Sequence, residues 1–439
     1  MGRCNRFSEG FLMYVLCDIN AAYVAFSQLF NPQFDIHSTP LGVLSSNQGN
    51  VVARNQALKD LNIKMGEPAF KVKDLIYKNG GHLWGSNFQL FGDLSARFHF
   101  EVSEFVNDSF AYSVDEAFGK LNPLFVKDMN KHCHRLRATL KKNLGLSCGV
   151  GVSTTKTLAK LASHCAKQQK WIDKTGGVVV LDTQHKIEWA LSRTEIGDIW
   201  GVGTKTKEKL NALGIYTGLE LMQFDVNIAK QQFSVVLSRT IQELNSINAV
   251  DLKDVNETRE RICVSQSMGK AVLHVDELKQ ALTTHVTNAA YKLRGFKCFA
   301  SIITVFIATD SFRPEHPQYS KSQHITLPFH SADTAVLVKY ALYVLDSLYK
   351  EGYKYKKAGV ILSGIVEHSN AQQLSLFEPS NELKIDKKTQ VSDEINKRFG
   401  KSAIGLCSAG FKHEWKPKDD LAPKSYTTQL SDLPTAYAK

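Results

Sequence analysis

The chain has 439 residues, more than a single hydrophobic core organises, so three or more domains are expected. With 43% hydrophobic and 22% charged residues it has the composition of a soluble globular protein, which excludes a disordered or fibrous chain. Its formal charge of +11 is concentrated: between Lys127 and Lys174, eleven Lys and Arg stand against Asp128 and Asp173 alone, a basic stripe that favours a polyanionic partner such as nucleic acid.

The start MGRCNRF followed by FLMYVLC imitates a signal peptide, but seven apolar residues before Asp18 are too few. Residues 1–12 therefore read as a non-structural extension, with Met13 as an alternative start. No stretch approaches the roughly 20 apolar residues of a membrane span, so no membrane partner and a cytosolic location are expected. The eight cysteines show no CxxC pair and read as reduced thiols. His132-Cys133-His134 has no zinc-site spacing and is read as an ordinary helical stretch.

The strand-like run FLMYVLCDIN is apolar from Phe11 to Cys17 and ends on Asp18 and Asn20. A further strand, PLGVLSS, precedes a helical pattern in RNQALKDLNIKMG. Then YSVDEAF, Tyr112 to Phe118, sets two adjacent carboxylates in an apolar run. On a regular strand Asp115 and Glu116 point to opposite faces, and one becomes a buried charge. Two readings explain them: a hairpin tip where both reach water, or a pair of metal ligands at a strand end. If the two strands are neighbours, Asp18 joins Asp115 and Glu116. Three clustered carboxylates need cations, and oxygen-only ligands suit Mg²⁺ or Mn²⁺, two of which about 4 Å apart serve in-line displacement at phosphorus.

A helix is expected in TTKTLAKLASHCAKQQ and a strand in GGVVVLD, completing an α/β domain. In IGDIWGVGTKTKEKLNALGI, Gly201-Val202-Gly203 forms a tight turn, Thr204 is expected to cap the next helix, and Gly214 to stop it. Such a helix-hairpin-helix offers backbone N–H groups to a phosphate. From Ile262 to Val366 the pattern is βαββαβ, with a helix whose apolar face is Leu278, Ala281, Leu282, Val286, Ala289, Ala290 and Leu293 and a second from about Ala332 to Tyr349. The tail after about residue 368 is polar except for Gln373-Leu374-Ser375-Leu376-Phe377, whose apolar side chains suit a groove on another protein.

Together LCDINAAYVAF, VVARNQALKDLNIKMGEPAF, YSVDEAF, GVGVSTTKTLAKLA, IWGVGTKTKEKLNALGI and SYTTQLSDL resemble the UmuC branch of the Y-family translesion DNA polymerases, from about Met13 to the end. The resemblance implies an α/β multidomain right hand: palm and small fingers over 13–187, a helix-hairpin-helix thumb over 188–255, a βαββαβ little finger over 256–368 and a partner-binding tail over 369–439. It implies that Asp18, Asp115, Glu116 and the Ile19 carbonyl hold two Mg²⁺ ions, with Mn²⁺ as a substitute. Lys160 and Lys59 match residues that face the triphosphate, and Tyr23 matches the aromatic gate that excludes a 2′-hydroxyl. Where the family often has a tyrosine this chain has Gln56, so that contact is not transferred. Gly201 and Gly203 are expected to meet DNA, and Gln373, Leu374, Leu376 and Phe377 the sliding clamp. Primer-template DNA, deoxynucleoside triphosphates, a UmuD-like accessory subunit and a recombinase filament are the implied partners. No segment resembles a proofreading nuclease, which implies error-prone synthesis, and the resemblance implies a role in the SOS response. A catalytically inactive DNA- and clamp-binding scaffold, or a two-metal phosphodiesterase or cyclase, shares some of these features; the scaffold has no need of intact acids, and the phosphodiesterase none of a hairpin thumb.

Overall fold

The computed structural model describes residues 12–47, 49–168, 174–251, 260–367, 387–400, 403–418, 420–433 and 435. Most of the expected N-terminal extension, and Gln373, Leu374, Leu376 and Phe377, lie outside the described residues. In chain order the structure begins β1 (Met13–Ile19), α1 (Ala22–Gln28), β2 (Leu41–Leu44), β3 (Val51–Arg54), α2 (Gln56–Asp60), α3 (Ala69–Lys78), β4 (His82–Gly85) and α4 (Phe88–Ser103). It continues β5 (Asp108–Ala111), β6 (Glu116–Leu121), α5 (Met129–Leu144), β7 (Cys148–Ser153), α6 (Lys156–Lys167), β8 (Val178–Leu181) and α7 (Gln184–Leu191).

Five strands form the palm sheet in the order β5-β6-β1-β7-β8, with β1 antiparallel to both neighbours. The apolar run of β1 does not alternate because both of its faces are covered. Val15 and Cys17 join a core with α1, α4 and α5, whereas Leu16 packs with Phe118 and Ala159 of α6. The glycines of GVGVS let α6 lie directly on β7: a Cβ on Gly151 would sit 2.1 Å from the Ser163 nitrogen and 2.3 Å from the Ala159 carbonyl oxygen. Cys133 is buried in the palm core, and the His132 ring meets the Phe105 carbonyl at 2.8 Å, so this stretch serves packing.

The fingers are a small sheet, β3-β2-β4, under α2 and α3. The helix expected in RNQALKDLNIKMG is only α2, because Asn62 takes a left-handed φ of 58° and turns Ile63 into the fingers core. The thumb holds α8 (Thr204–Ala212), α9 (Gly218–Met222), α10 (Val226–Gln232) and α11 (Val235–Leu244). Its hairpin differs from expectation in one respect: Gly203 is the cap residue and Thr204 is already helical, with no side-chain cap bond, so a glycine leaves the first amides uncovered. Gly201 and Gly214 take the left-handed φ values, 91° and 81°, that the turn and the helix stop require.

Helix α7 runs through residues 187 and 188, and its Ile187 and Leu191 share a core with Leu210, Leu221 and Leu237 of the thumb. Glu243 of α11, fully buried, accepts hydrogen bonds from the Thr157 nitrogen and hydroxyl, both 2.8 Å, at the N-terminus of α6, where a carboxylate is favoured by the helix dipole. The little finger follows as β9 (Arg261–Val272), α12 (Val275–Gly295), β10 (Cys298–Thr309), β11 (Ser320–Ser331), α13 (Thr334–Leu348) and β12 (Tyr355–Glu367), with strand order β11-β10-β12-β9. All seven apolar positions expected on its first helix are buried. A last helix, α14 (Lys387–Phe399), docks on it through a paired contact of Arg294 with Asp393, at 2.6 and 2.7 Å.

Candidate active site

Antiparallel pairing of β1 with β6 sets Asp18 directly opposite Glu116, in register with Leu16 opposite Phe118. Both acids therefore share the sheet face that α6 covers. Asp115 precedes β6 in the turn, where alternation has not begun, and its carbonyl oxygen accepts from the Ile19 nitrogen at 2.9 Å. Ser113 organises that turn: its hydroxyl donates to Asp115 Oδ1 at 2.7 Å and accepts from the Glu116 nitrogen at 3.1 Å. The His99 ring of α4 meets the Ser113 carbonyl at 2.9 Å and ties the hairpin to the palm. Asp18, Asp115 and Glu116 are thus gathered at the ends of adjacent strands.

Cations face them. Gly149 and Gly151 bring α6 onto the sheet, and residues seven apart on that helix share a face. Lys160 Nζ lies 2.6 Å from Glu116 Oε1, while Lys167 Nζ pairs with Asp18 and donates to the Ile19 carbonyl oxygen at 3.2 Å. The rings of Tyr112 and Trp200, 4.8 and 5.6 Å away, help hold the Lys160 ammonium. Lys59 of α2 has its pKa lowered, first by burial and then by the charges of Arg54 and Lys167. Such crowding of cations suits an anionic ligand.

The acids bear the opposite strain. Burial raises the Asp18 carboxyl to about 6; Lys167 pulls it down, and the negative charges of Glu116 and Asp115 push it up. Among the described residues no three His, Cys, Asp or Glu side chains form a ready-made ligand group. Two of the three acids instead hold lysines and the third a serine hydroxyl. The donor set is nonetheless all oxygen, as hard divalent cations prefer, and like-charge repulsion at Asp18 is what a bound cation relieves.

Tyr23 is the second residue of α1, which follows Ala21 in a left-handed conformation with φ 47°. Its ring stacks on Phe91 of α4 at 4.7 Å with 9° between planes and meets Phe88 edge-on at 6.2 Å. Its phenol is raised by burial and then by the charge of Asp115. Gln56, at the start of α2, donates to Asp60 at 2.8 Å. The structure thus brings together Asp18, Ile19, Asp115, Glu116, Lys160 and Lys167. Lys59 on α2 feels the charge of Lys167 and Tyr23 on α1 that of Asp115, while Gly201 and Gly203 lie in the thumb turn that follows Trp200. Lys167, Ser113 and His99 were not singled out by sequence reasoning. The signal for Lys167 was present, since it lies two helical turns after Lys160.

The impB/mucB/samB family matches residues 17–164, and its C-terminal domain matches residues 259–376. The chain belongs to this family. It is a UmuC-like Y-family polymerase. It is 35% identical to the protein UmuC of Salmonella typhimurium over 96% of this chain and 99% of that one, and 34% identical to the protein ImpB of the same organism over 97% and 99%. DNA polymerase IV of Clostridium acetobutylicum is 26% identical over 88% of this chain and 95% of its own length. A solved Y-family DNA polymerase chimera shares the fold with a TM-score of 0.62 at 18% identity, covering 81% of this chain and 99% of that one. Residues 389–436 match a domain of unknown function, DUF4113. No described helix is long and apolar enough to cross a membrane.

Proposed function

We propose that this family member copies damaged DNA by template-directed, two-metal nucleotidyl transfer, in the SOS response and without proofreading. The observation that carries the reading is the register of β1 on β6, which sets Asp18 against Glu116, each paired with a lysine of α6, with Asp115 next to them in the turn. Acids and cations paired directly at one site suit a metal–triphosphate that would part them, its metals meeting the acids and its phosphates the lysines.

When bound to Asp18, Asp115, Glu116 and the Ile19 carbonyl, two Mg²⁺ ions, or Mn²⁺ in their place, supply the charge that activates a primer hydroxyl and stabilises the departing pyrophosphate. The chain's own residues do the rest. Lys160 and Lys167 give up their carboxylate partners and neutralise phosphate oxygens, and Lys59 approaches from the fingers. Ser113 keeps the hairpin folded so that Asp115 and Glu116 stay on one side. Tyr23, braced by Phe91, closes the space a 2′-hydroxyl needs.

Primer-template DNA and deoxynucleoside triphosphates are the substrates in this reading. The thumb amides at Gly201 and Gly203 hold DNA phosphates. A sliding clamp takes Gln373, Leu374, Leu376 and Phe377, and a UmuD-like subunit and recombinase filament complete the assembly in the bacterial cytosol. Primer extension on an abasic template tests it. Asp115→Ala should abolish incorporation with DNA affinity within a few-fold of wild type; incorporation near the wild-type rate would overturn the two-metal assignment.

A further inference from the structure

The C-terminal segment crosses from the little finger to the fingers and palm. Trp415 is buried in the little-finger core, its ring edge-on to His285 at 5.5 Å, and its carbonyl oxygen accepts from the Gly269 nitrogen at 2.9 Å. Beyond it, the Lys418 carbonyl oxygen accepts from the Asn47 nitrogen at 3.2 Å, and the Leu421 nitrogen donates to Asn47 Oδ1 at 3.0 Å. Leu421 packs against the fingers core, and its carbonyl oxygen accepts from the Gly85 nitrogen at the end of β4 at 2.8 Å. Tyr426 then stacks on Phe30 of the palm at 4.5 Å with 18° between planes.

Two glycines mark how closely the segment is fitted. A Cβ on Gly269 of β9 would lie 2.8 Å from both the Lys416 carbonyl oxygen and Pro417 Cα; one on Gly85 would lie 3.0 Å from the Ala422 nitrogen. Neither glycine adopts a left-handed φ, so it is the approach of the segment that leaves no room for a side chain. The segment also reaches the helix beside the active site. Asn87, the cap residue of α4, accepts from the Gln89 and Leu90 nitrogens with its oxygen and donates with its nitrogen to the Pro423 carbonyl and the Ser425 hydroxyl, 2.8 and 3.1 Å away. Gln89 donates to Thr428 at 2.9 Å. Helix α4 carries Phe88 and Phe91, the two rings against Tyr23.

Fingers and little finger also face each other across a cleft of about 840 Å³, where among the described residues Arg313 lies over the Phe70 ring at 4.8 Å and Lys71 over Phe312 at 5.8 Å. Cation–ring contacts of this kind are worth about 0.5–1 kcal/mol where exposed, too little to fix two domains. The fitted segment adds a buried tryptophan at one end and a stacked tyrosine at the other.

We infer that the C-terminal segment, residues 413–418 and 420–432, is an intramolecular strap that fixes the little finger against the fingers and braces α4 behind Tyr23. It thereby gives the matched domain of unknown function a structural role in cis. The effect on DNA and sugar selection rests on the polymerase reading; the structural effect does not.

The test uses full-length Tyr426→Ala, Tyr426→Phe and Gly85→Val. Hydrogen exchange over 420–432 and β4, with small-angle scattering of the free protein, needs no polymerase activity. In Tyr426→Ala and Gly85→Val, exchange at both places should quicken and the radius of gyration increase, with the palm sheet still protected. Affinity for primer-template should weaken about fivefold, near the loss of one aromatic pair, while kcat for a single incorporation stays within about twofold. The ribo- to deoxyribonucleotide efficiency ratio should rise, and Tyr426→Phe, which keeps the stack, should match wild type throughout. Unchanged exchange and scattering in Tyr426→Ala would overturn the strap, as would a Tyr426→Phe protein as impaired as the alanine variant. Changed exchange with unchanged DNA affinity and sugar ratio would keep the strap and refute its link to synthesis.

Discussion

Replacing Lys167 by Met keeps most of the side-chain volume and removes the charge beside Asp18. In the free protein Lys167 is the main influence holding the Asp18 carboxyl down to about 6 against burial and two neighbouring acids. Its removal therefore pushes that carboxyl higher, and the acid is protonated over more of the neutral range. Metal binding then competes with a proton, so the Mg²⁺ concentration for half-maximal rate should rise, and should rise more at pH 6.5 than at pH 8. In the nucleotide complex the same change deletes a charged donor to phosphate, a loss of about 1.5–3 kcal/mol, or roughly 10- to 150-fold in kcat/KM for the incoming nucleotide. Lys167→Arg should recover part of this, since charge is kept while the compact ammonium is not. The assay is single-nucleotide incorporation under pre-steady-state conditions, with Mg²⁺ titrated at both pH values and DNA affinity measured separately. A Lys167→Met protein with kcat/KM within twofold of wild type and an unshifted Mg²⁺ requirement would refute the role assigned to this residue.

Tyr23→Ala should raise the ribo- to deoxyribonucleotide efficiency ratio by about a hundredfold, the scale set by a misplacement of about 1 Å, while Tyr23→Phe stays selective; an unchanged ratio in matched single-nucleotide extensions would place the gate elsewhere. Leu376→Ala with Phe377→Ala should weaken clamp binding in a calorimetric titration by several kcal/mol while basal extension on short primers is kept. His285, buried in the little finger, has its pKa lowered to about 4 by burial and then by Lys416, against 6.5 for the free group. The unfolded chain thus binds more protons between these values, and little-finger stability should fall by about 2 kcal/mol from pH 7 to pH 5. Urea titrations should show that fall, and His285→Phe should flatten it.

Much of this protein was legible in the sequence because its determinants are local. Helical spacing from Leu278 to Leu293 marked a buried face, and the order of periodicities from Ile262 to Val366 gave βαββαβ, since each period is a property of neighbouring residues. The paired carboxylates of YSVDEAF left two readings open in the sequence, a hairpin tip reaching water or metal ligands at a strand end, because adjacent residues alone do not show what faces them. Other features were set by contacts between segments far apart in the chain. Which of Asp115 and Glu116 lies opposite Asp18 depends on the register of β1 on β6, and a slip of one residue would reverse it. That Lys167 meets Asp18, and Lys160 meets Glu116, follows from how closely α6 can settle on Gly149 and Gly151. The polar tail gave no periodic signal, yet Trp415 is buried in the little finger and Tyr426 stacks on Phe30 of the palm, because single aromatic anchors on an irregular chain bury their surface only against domains already folded.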